Sequence, residues 1–273
     1  MNKEFFKLLY RKIFDRKAWK KYRESFVEFN EKSMKNNCII AEKDSCFPCL
    51  DEITDSLNFS IHYVYHPAWA ARILAQINPE EHIDISSTIN FCTIMSAFIP
   101  IKYYEYRPVN FNLSNLKSLK ADITKLPFED NSIYSLSCMH VVEHIGLGRY
   151  GDEIDPVGDQ KAIQELKRVV KIGGNLLFVV PIGKEKIIFN AHRIYSYDKI
   201  LQYFSGWKLK EFSLVLDDMS MSNIKCAFGL KQVISGKSNN LKSLNQCFIE
   251  KATKEQADQQ NYGCGCFWFI KSL

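Results

Sequence analysis

The segment SIYSLSCMHVVEHI, residues 132–145, contains two patterns that predict different folds. His140, Glu143 and His144 have the H-x-x-E-H spacing of a zinc-binding helix in one class of peptidases. The residues before them alternate and are rich in apolar side chains, which predicts a buried strand. Gly146 and Gly148 follow almost at once, so a helix long enough to hold two zinc ligands is hard to place. We therefore expect His140 at the end of a strand and His144 one turn later.

Strands and helices alternate along the chain on both sides of this segment. Short apolar runs predict strands at residues 82–87, 101–106, 118–123, 132–139, 175–181, 207–216 and 265–273. Apolar residues at spacings of three and four predict helices at residues 66–77, 91–98, 160–170 and 196–204. Strands that alternate with crossover helices imply an α/β fold with a doubly wound, mostly parallel sheet.

Residues at the ends of two of these helices provide capping signals. Asp159 is expected to cap the helix at residues 160–170, and Gly173 with Gly174 to end it. Ser196 is expected to cap the last helix.

The chain is expected to divide into three regions. Residues 1–35 form a basic amphipathic N-terminal helix, residues 36–80 a connector and cap segment, and residues 81–273 the α/β domain. Within that domain, the polar and lysine-rich residues 217–260 form an excursion before the final strand. The N-terminal helix either packs on the domain or a partner, or lies on an anionic membrane surface.

Composition and charge exclude several classes of protein. No apolar run reaches the roughly 18 residues of a membrane span, and the N-terminus lacks the features of a signal peptide. Residues 1–32 hold ten Lys and Arg against five acids, so the net charge of +5 lies entirely in this segment. A basic stripe over the body is therefore absent, which argues against a nucleic-acid partner. We expect a cytoplasmic protein, or one that contacts the inner membrane surface through residues 1–32. The oligomeric state is not indicated.

The nine cysteines are expected to be separate reduced thiols, because the chain has no secretion signal. Cys46, Cys49, Cys264 and Cys266 could supply four thiolates to one zinc. However, the two pairs lie far apart in sequence, and CxC is not the usual half of such a site. No metal site is predicted.

Polar side chains follow the predicted strands at the points where each strand ends. In an open α/β sheet, ligands bind at the carboxyl ends of the strands. Glu105 lies 21 residues after Asp84, close to the spacing of a ribose-binding carboxylate. Asp122 could accept from an adenine amine, and Ile123 could flank the ring. The predicted cofactor-binding residues are Asp84, Ser86, Ser87, Glu105, Asp122, Ile123 and His140.

The middle of the chain resembles a known superfamily. The stretches DITKLPFEDNSIYSLSCMHVVEHI (residues 122–145) and IQELKRVVKIGGNLLFVVP (residues 163–181) resemble the class I S-adenosylmethionine-dependent methyltransferases. More narrowly, HYVYHPAWAAR, HIDISS, SLSCMHVVEHIGLGRYGDEIDP and FNAHRIYS resemble the uncharacterised domain of unknown function 268 family, over a little more than half of the chain. The resemblance implies a Rossmann-like methyltransferase sheet and S-adenosylmethionine as the cofactor.

The first loop of the predicted sheet departs from the superfamily pattern. The superfamily has a glycine-rich loop there, whereas this chain has IDISSTIN, residues 83–90, without glycine. Serines keep the turn small, but their Cβ atoms restrict the backbone and hinder close approach. The loop indicates either a modified but working cofactor site, which we favour, or a fold that has lost methyl transfer.

The acceptor side of the site is predicted from two further segments. The acids of GRYGDEIDPVGD, residues 148–159, could bind sugar hydroxyls or a divalent ion, or cap the next helix. FNAHRIYS, residues 189–196, brings His192 and Arg193 to the same edge, where they contact substrate or brace the loop. The predicted catalytic residues are His144, His192 and Asp152, although His144 could instead bond the backbone and only hold the loop in place. The predicted substrate-binding residues are Tyr65, Trp69, Arg149, Asp155 and Arg193. Tyr65 and Trp69 could equally form an ordinary packing face.

Together these features predict an S-adenosylmethionine-dependent methyltransferase that O-methylates a sugar or glycan precursor. Histidine suits the removal of a hydroxyl proton at neutral pH. The basic helix would fit a lipid-linked acceptor at a membrane surface. The alternative is a non-catalytic methyltransferase-like binding module, or a partner subunit in glycan biosynthesis.

Overall fold

The computed structural model of the protein describes residues 3–48, 50, 60–216 and 247–273. Most of the predicted excursion, residues 217–246, lies outside the described residues, as do Cys49 and residues 51–59 of the predicted connector. The chain divides into two compact units, Met1–Phe59 and Ser60–Leu273. Each unit is described by itself.

The N-terminal unit consists mainly of one long helix. Helix α1 runs over Lys3–Lys35, so the predicted helix is confirmed. Near the end of this helix, the side chain of Asn30 accepts from the backbone N–H of Ala41 at 2.8 Å and donates to the carbonyl of Ala41 at 3.0 Å. These bonds fold the following chain back onto the helix. Within the described residues, no helix is both long enough and apolar enough to cross a membrane.

The second unit is built on strands that alternate with helices. Its strands are β1 (His82–Ile85), β2 (Ile101–Glu105), β3 (Leu116–Lys120), β4 (Ile133–Met139), β5 (Val170–Ile182), β6 (Lys186–Ile188), β7 (His192–Ile194), β8 (Lys208–Val215), β9 (Phe248–Ile249) and β10 (Gly263–Ile270). Its helices are α2 (Ile61–Ile77), α3 (Ile89–Met95), α4 (Gly158–Val169), α5 (Tyr197–Tyr203) and α6 (Lys254–Asp258).

The main sheet confirms the predicted fold class. Its order is β3-β2-β1-β4-β5-β10-β8-β9, and the five strands from β3 to β5 are parallel. Strand β10 is antiparallel to both β5 and β8, so the last strand in sequence lies inside the sheet. Strand β5 is apolar on both faces: Phe178 and Val180 pack in the cluster with α4 and α5, whereas Leu177 and Val179 pack in the cluster with α2 and α3.

Helix α2 begins five residues earlier than its spacing predicted. It starts at Ile61 and contains Pro67, and its buried stripe includes His62 and His66 as well as Trp69. The first turn, residues 61–65, holds His62 and two tyrosines and therefore has no clear apolar spacing. This difference matters because the added turn places His62 on the same buried stripe as His66.

Three other local predictions were wrong. Helix α4 begins at Gly158, so Asp159 lies inside its first turn and is not the cap; instead, Asp155 accepts from the backbone N–H of Val157 at 3.0 Å. Gly173 and Gly174 do not end that helix, because β5 already begins at Val170 and holds both glycines. The register of β4 against β5 shifts there, which is the bulge that glycine permits.

The third error concerns strand β3, which ends at Lys120 and not at residue 123. Asp122 and Ile123 therefore lie in a turn just beyond the strand. In contrast, the predicted cap of α5 is confirmed, because the Ser196 hydroxyl oxygen accepts from the backbone N–H of Lys199 at 3.1 Å.

Candidate cofactor and acceptor site

The parallel strands bring the predicted cofactor-binding residues to one edge of the sheet. Ile85 pairs with Tyr104, Glu105 pairs with Lys120, and Asp84 pairs with Ser137. The residues that follow β1, β2, β3 and β4 therefore emerge side by side. At this edge lie Ser86, Ser87, Glu105, Asp122 and His140.

The side chain of Asp84 bonds the loop that follows β1. It is fully buried, its Oδ1 accepts from the backbone N–H of Ser87 at 2.9 Å, and its Oδ2 accepts from the hydroxyl of Ser137. Burial raises the pKa of Asp84 to about 6, although the bonds from Ser137 and Ser87 oppose this shift. Both carboxylate oxygens are thus engaged inside the protein, and a direct contact of Asp84 with a cofactor stays a prediction.

The loop without glycine adopts a conformation that usually favours glycine. Ser86 has φ +55°, and its backbone N–H and hydroxyl both bond the carbonyl of Tyr104, at 2.8 and 3.2 Å. The Ser87 hydroxyl oxygen accepts from the backbone N–H of Met139 at 3.0 Å. Beside them, the hydroxyl of Thr88 is buried and has no hydrogen-bond partner among the described residues. The turn is therefore formed without glycine, and it leaves one polar atom for a ligand.

Glu105 and Asp122 are the two accessible acids at this edge. The oxygens of Glu105 accept bonds at 3.3 Å from the hydroxyl of Tyr103 and from the backbone N–H of Arg107. Oδ1 of Asp122 accepts from the backbone and the hydroxyl of Thr124, both at 2.8 Å. Asp122 is exposed, and Oδ2 receives no bond within the described part of the chain. These oxygens suit ribose hydroxyls and an exocyclic amine, whereas Ile123 is buried in the core.

His140 stands at the end of β4 in a strained backbone conformation. Its φ is +59°, a region that costs free energy for a residue with a Cβ atom. Its Nδ1 lies 2.8 Å from Oε1 of Glu143, and both side chains are buried. Burial lowers the pKa of His140 to about 3 and raises the pKa of Glu143 to about 7. Nε2 of His140 and Oε2 of Glu143 find no partner among the described residues.

Five of the six histidines of the chain gather around this point. The rings of His62 and His66 lie 5.7 and 5.0 Å from the ring of His140. The ring of His144 lies 6.4 Å from that of His192. Burial lowers the pKa of His62 to about 3 and that of His192 to about 4, so these imidazoles are neutral at pH 7. We call these five residues the histidine cluster.

His144 is oriented by the backbone. The carbonyl of Ala191 can only accept, so the contact at 2.6 Å means that Nδ1 of His144 carries the proton and donates it. Its Nε2 is then free to accept a proton, and it lies 3.8 Å from Oε1 of Glu143. Arg149, which is exposed, donates to the same carbonyl at 3.1 Å. Of the three predicted catalytic residues, the structure brings His144 and His192 together.

The third predicted catalytic residue, Asp152, stabilises the loop of residues 148–159, which we call the acidic loop. Its carboxylate accepts from the backbone N–H groups of Gly146, Gly148 and Tyr150 at 2.8, 3.3 and 3.1 Å. Burial acts to raise its pKa, but these donors outweigh it and hold the pKa of Asp152 below its ordinary value. Such a carboxylate is a weak base.

Two of the predicted substrate-binding residues, Asp155 and Arg193, hold the acidic loop against neighbouring elements. Asp155 pairs with Lys161 at 2.8 Å. Arg193 is buried, donates to the carbonyl of Ile145 at 2.6 Å and lies 3.7 Å from Asp159. This geometry matches the bracing alternative for Arg193.

Tyr65 and Trp69 point away from the histidine cluster. Trp69 is buried and donates from Nε1 to Glu211 at 2.9 Å, and Tyr65 stacks on Phe248 with ring centroids 5.5 Å apart. These contacts match the packing alternative, and a role in substrate binding stays a prediction. An apolar groove of about 360 Å³ does lie nearby, between α2 and α3, where Tyr63 and Thr88 are among its lining residues.

Three residues of the site were not predicted: Glu143, His62 and Cys264. Glu143 stands inside the H-x-x-E-H motif, so the signal was present once the motif was placed at a strand end. His62 comes from helix α2, and no local pattern marks it. Cys264 comes from the start of β10 and was considered only as part of a four-cysteine zinc site, not beside histidines. One ligand atom from each of His62, His140 and Cys264 lies within 4.8 Å of the other two.

One family model agrees with the resemblance found in the sequence. The family model described as Caenorhabditis protein of unknown function, DUF268, matches residues 123–228. No curated protein matches the chain.

Solved structures with a similar chain path include the YcgJ protein of Bacillus subtilis, at 12% identity and TM-score 0.47 over 77% of this chain and 99% of that chain. An S-adenosylmethionine-dependent methyltransferase of Thermotoga maritima is 14% identical, with TM-score 0.44 over 78% of this chain and 92% of that chain. Phosphoethanolamine N-methyltransferase 2 of Haemonchus contortus is 12% identical, with TM-score 0.44 over 76% of this chain and 53% of that chain. The fold class itself rests on the strand order described above.

Proposed function

We propose that this protein is an S-adenosylmethionine-dependent methyltransferase that O-methylates a sugar or glycan precursor. The observation that carries the proposal is the row of polar groups at the carboxyl ends of β1 to β4, which is where ligands of such sheets bind. Glu105 would hold the ribose hydroxyls and Asp122 the adenine amine. The buried hydroxyl of Thr88, which lacks a partner among the described residues, is suited to the polar end of the methionine part. The motif resemblance of residues 122–145 supports the same cofactor.

The acceptor proton would pass to a histidine. His144 is the better placed of the two candidates, because Ala191 fixes its Nδ1–H and leaves Nε2 as the accepting atom. The charge gained by the ring would lie 3.8 Å from Glu143. S-adenosylmethionine, when bound, would supply the methyl group to the acceptor oxygen, and its sulfur would keep the electrons of the broken carbon–sulfur bond. Holding the acceptor in line with that bond supplies much of the rate.

A sugar acceptor is supported by the side chains around the cluster. Arg149 lies over the ring of Tyr150, 5.1 Å from its centroid, and both residues are exposed. Arg107 lies over the same ring, 5.5 Å from its centroid, and guanidinium groups of this kind can donate to sugar hydroxyls. The exposed basic side chains of α1, which include Lys17, Lys20 and Lys21, favour an anionic surface and hence a lipid-linked acceptor.

Calorimetry tests the proposal. S-adenosylhomocysteine and S-adenosylmethionine are titrated into the wild type, Asp122→Ala and the control Glu129→Ala, which removes an exposed acid. We expect the wild type and the control to bind alike. Asp122→Ala should bind about tenfold more weakly, since a hydrogen bond to a charged group contributes about 1.5–3 kcal/mol and each 1.4 kcal/mol is tenfold. If the wild type binds neither compound, the methyltransferase proposal fails.

The second candidate is a non-catalytic module that binds a nucleoside ligand or a partner enzyme. The observation that favours it is the Cβ atom of Ser86, which stands in the first loop at φ +55° where close approach of a ligand is hindered. This candidate predicts no methylated product with any glycan acceptor, even where S-adenosylhomocysteine binds. Detection of methyl transfer from labelled S-adenosylmethionine to a glycan would exclude it.

A further inference from the structure

The histidine cluster contains more imidazole nitrogens than the protein can satisfy. His66 donates from Nδ1 to the carbonyl of His62 at 2.7 Å, so its Nε2 bears a lone pair. The Nδ1 atom of His140 is bonded to Glu143, and its Nε2 is buried. Nε2 of His66, His140 and His192 are all buried and lack a partner among the described residues. Histidines that only fill a core are normally hydrogen-bonded, because a buried nitrogen without a partner costs free energy. For His66 and His140, whose Nδ1 atoms are engaged, the missing partner is a group that accepts an electron pair.

From these contacts we infer that His62, His140 and Cys264 bind one zinc ion, with the fourth position open to the heteroatom of the methyl acceptor. A ring nitrogen of each histidine and the sulfur of Cys264 already lie within 4.8 Å of one another. Tetrahedral zinc holds nitrogen and sulfur ligands about 3.3–3.7 Å apart, so closure requires movements of about 1 Å. Three protein ligands with one open position is the arrangement of catalytic zinc sites. Nitrogen with sulfur favours zinc over magnesium or calcium.

The surroundings of His140 are those of a metal ligand. Metal-bound histidine nearly always bonds through its other nitrogen to a carboxylate or a carbonyl, which fixes the ring. Glu143 takes this role at 2.8 Å, and its own side chain is only 1% exposed. The left-handed backbone at His140, φ +59°, is a strained feature of the kind found at functional sites. It follows directly from β4 and turns the imidazole toward α2.

Cys264 is the ligand that distinguishes this site from the zinc-peptidase site that H-x-x-E-H spacing indicates. It is fully buried at the start of β10, in register with Pro181 at the end of β5. Its thiol must lose a proton when it binds metal, so metal binding releases protons to solvent. Cys266 lies on the same face, with its sulfur 4.0 Å from that of Cys264. The sulfur of Cys264 is the one within reach of both histidines.

The open position deepens the proposed function and rests on it. The cluster adjoins the first loop, because Met139 donates to Ser87 and His140 follows directly. A methyl acceptor held on zinc would therefore lie beside the predicted cofactor, with His144 within the same cluster. Zinc favours the deprotonated form of a bound hydroxyl, which makes the oxygen a better nucleophile. The resulting step transfers one methyl group to the acceptor oxygen and one proton to the base.

The metal site is tested first with Co²⁺ on the full-length protein. Protein stripped by a chelator is titrated with Co²⁺ and then with Zn²⁺. We expect one Co²⁺ per chain, a thiolate-to-cobalt absorption band, and its loss when Zn²⁺ displaces Co²⁺. Absence of the band together with absence of stoichiometric zinc would overturn the inference, whatever any variant does.

Variants then identify the ligands. Cys264→Ser should abolish the thiolate band and His62→Ala should abolish stoichiometric binding, with circular dichroism to confirm the fold. The matched control is Cys138→Ala, a buried cysteine on β4 that belongs to the opposite core cluster. It should bind metal like the wild type. A band that persists in Cys264→Ser would show that the ligand set is wrong.

The open fourth position has its own test. Azide, a small anion, should shift the visible spectrum of the Co²⁺ protein, and His66→Gln should keep one metal per chain. If azide has no effect and His66→Gln loses the metal, His66 closes the site and the acceptor role is excluded. Calorimetry with S-adenosylhomocysteine separates the two proposals, because Glu105 lies on β2 and Asp122 in the turn after β3, and neither is a proposed metal ligand. Cofactor binding without metal overturns only the zinc site, and metal binding without cofactor overturns only the methyltransferase proposal.

Discussion

Nδ1 of His140 lies 2.8 Å from Oε1 of Glu143, inside a motif whose spelling is that of a zinc peptidase. The motif forms no ligand helix here, because Val142–His144 is a single 3-10 turn after β4. Glu143 instead orients His140 and stands 3.8 Å from Nε2 of His144. The one carboxylate therefore couples the proposed metal ligand to the proposed base.

The first prediction concerns this carboxylate. Glu143→Gln should keep a hydrogen-bond acceptor for His140 but remove the charge, and Glu143→Leu should remove both. Loss of such a partner typically lowers metal affinity by about 10- to 100-fold. We expect the glutamine variant to bind zinc more weakly than the wild type and the leucine variant more weakly still. Competition against a coloured zinc chelator measures the series.

The control for this series is Glu165→Gln, because Glu165 pairs with Arg168 on α4 at 2.8 Å, outside the histidine cluster. Its zinc affinity should equal that of the wild type. Equal affinities for all four proteins would show that Glu143 does not support a metal ligand.

The second prediction uses two neighbouring serines with opposite expected effects. Ser86→Gly should raise the free energy of unfolding by about 0.5–1 kcal/mol, because it relieves a left-handed conformation at φ +55°. Ser87→Ala should lower it by about 1–3 kcal/mol, because the buried N–H of Met139 loses its acceptor. Urea denaturation at fixed pH measures both. Two changes of the same sign would contradict this account of the loop.

The sequence predicted the parts of the fold that depend on neighbouring residues. The apolar alternation of residues 132–139 placed β4 correctly, and with it His140 at the ligand edge. The position of β10 between β5 and β8 is a long-range pairing that no local pattern encodes. For the same reason His62 was missed and Cys264 was considered with the wrong partners, since both approach His140 from segments far apart in the chain.

Misread local signals explain the remaining errors. Glycines such as Gly173 and Gly174 often follow the end of a helix, but here they permit a bulge in β5. Asp159 is a residue type that often caps helices, but its carboxylate accepts at 2.9 Å from the hydroxyl of Tyr195, which lies far along the chain. Tertiary contacts decided both positions.

The third prediction concerns the pH dependence of stability. Burial raises the pKa of Asp84 to about 6, above the ordinary value of 3.8 that the unfolded chain would have. The folded state therefore binds the proton more tightly, so this contribution to stability is full below pH 4 and is lost as the pH rises through about 6. Two pKa units correspond to about 3 kcal/mol. Asp84→Asn should lack this loss.

The measurement is the difference in the free energy of unfolding between Asp84→Asn and the wild type at several pH values. The lost or altered bond to Ser137 gives a constant offset, and the titration gives the slope. We expect the variant to gain about 3 kcal/mol relative to the wild type between pH 4 and pH 7.5. A difference that stays flat over this range would mean that Asp84 is not perturbed.

The last prediction decides between bracing and substrate binding for Arg193. Its Nε lies 3.7 Å from Oδ1 of Asp159, and the two side chains are only 6% and 4% exposed. Removing one partner of a buried pair leaves an uncompensated charge, which costs about 3–5 kcal/mol. Arg193→Met should therefore lower the free energy of unfolding by that amount, and adding Asp159→Asn should restore part of it. The exposed pair of Lys102 and Glu81 provides the matched control.

In that control, Lys102→Met should cost about 1 kcal/mol or less, since its ion pair of 2.9 Å is near the surface. Urea denaturation of the single and double variants gives the coupling energy between Arg193 and Asp159. A large coupling means that the arginine is committed to holding the hairpin of β6 and β7 against the acidic loop. A cost below about 1 kcal/mol for Arg193→Met would mean instead that its charge is not needed for folding. Arg193 would then return as a candidate for binding the acceptor, because its charge would be available to a ligand.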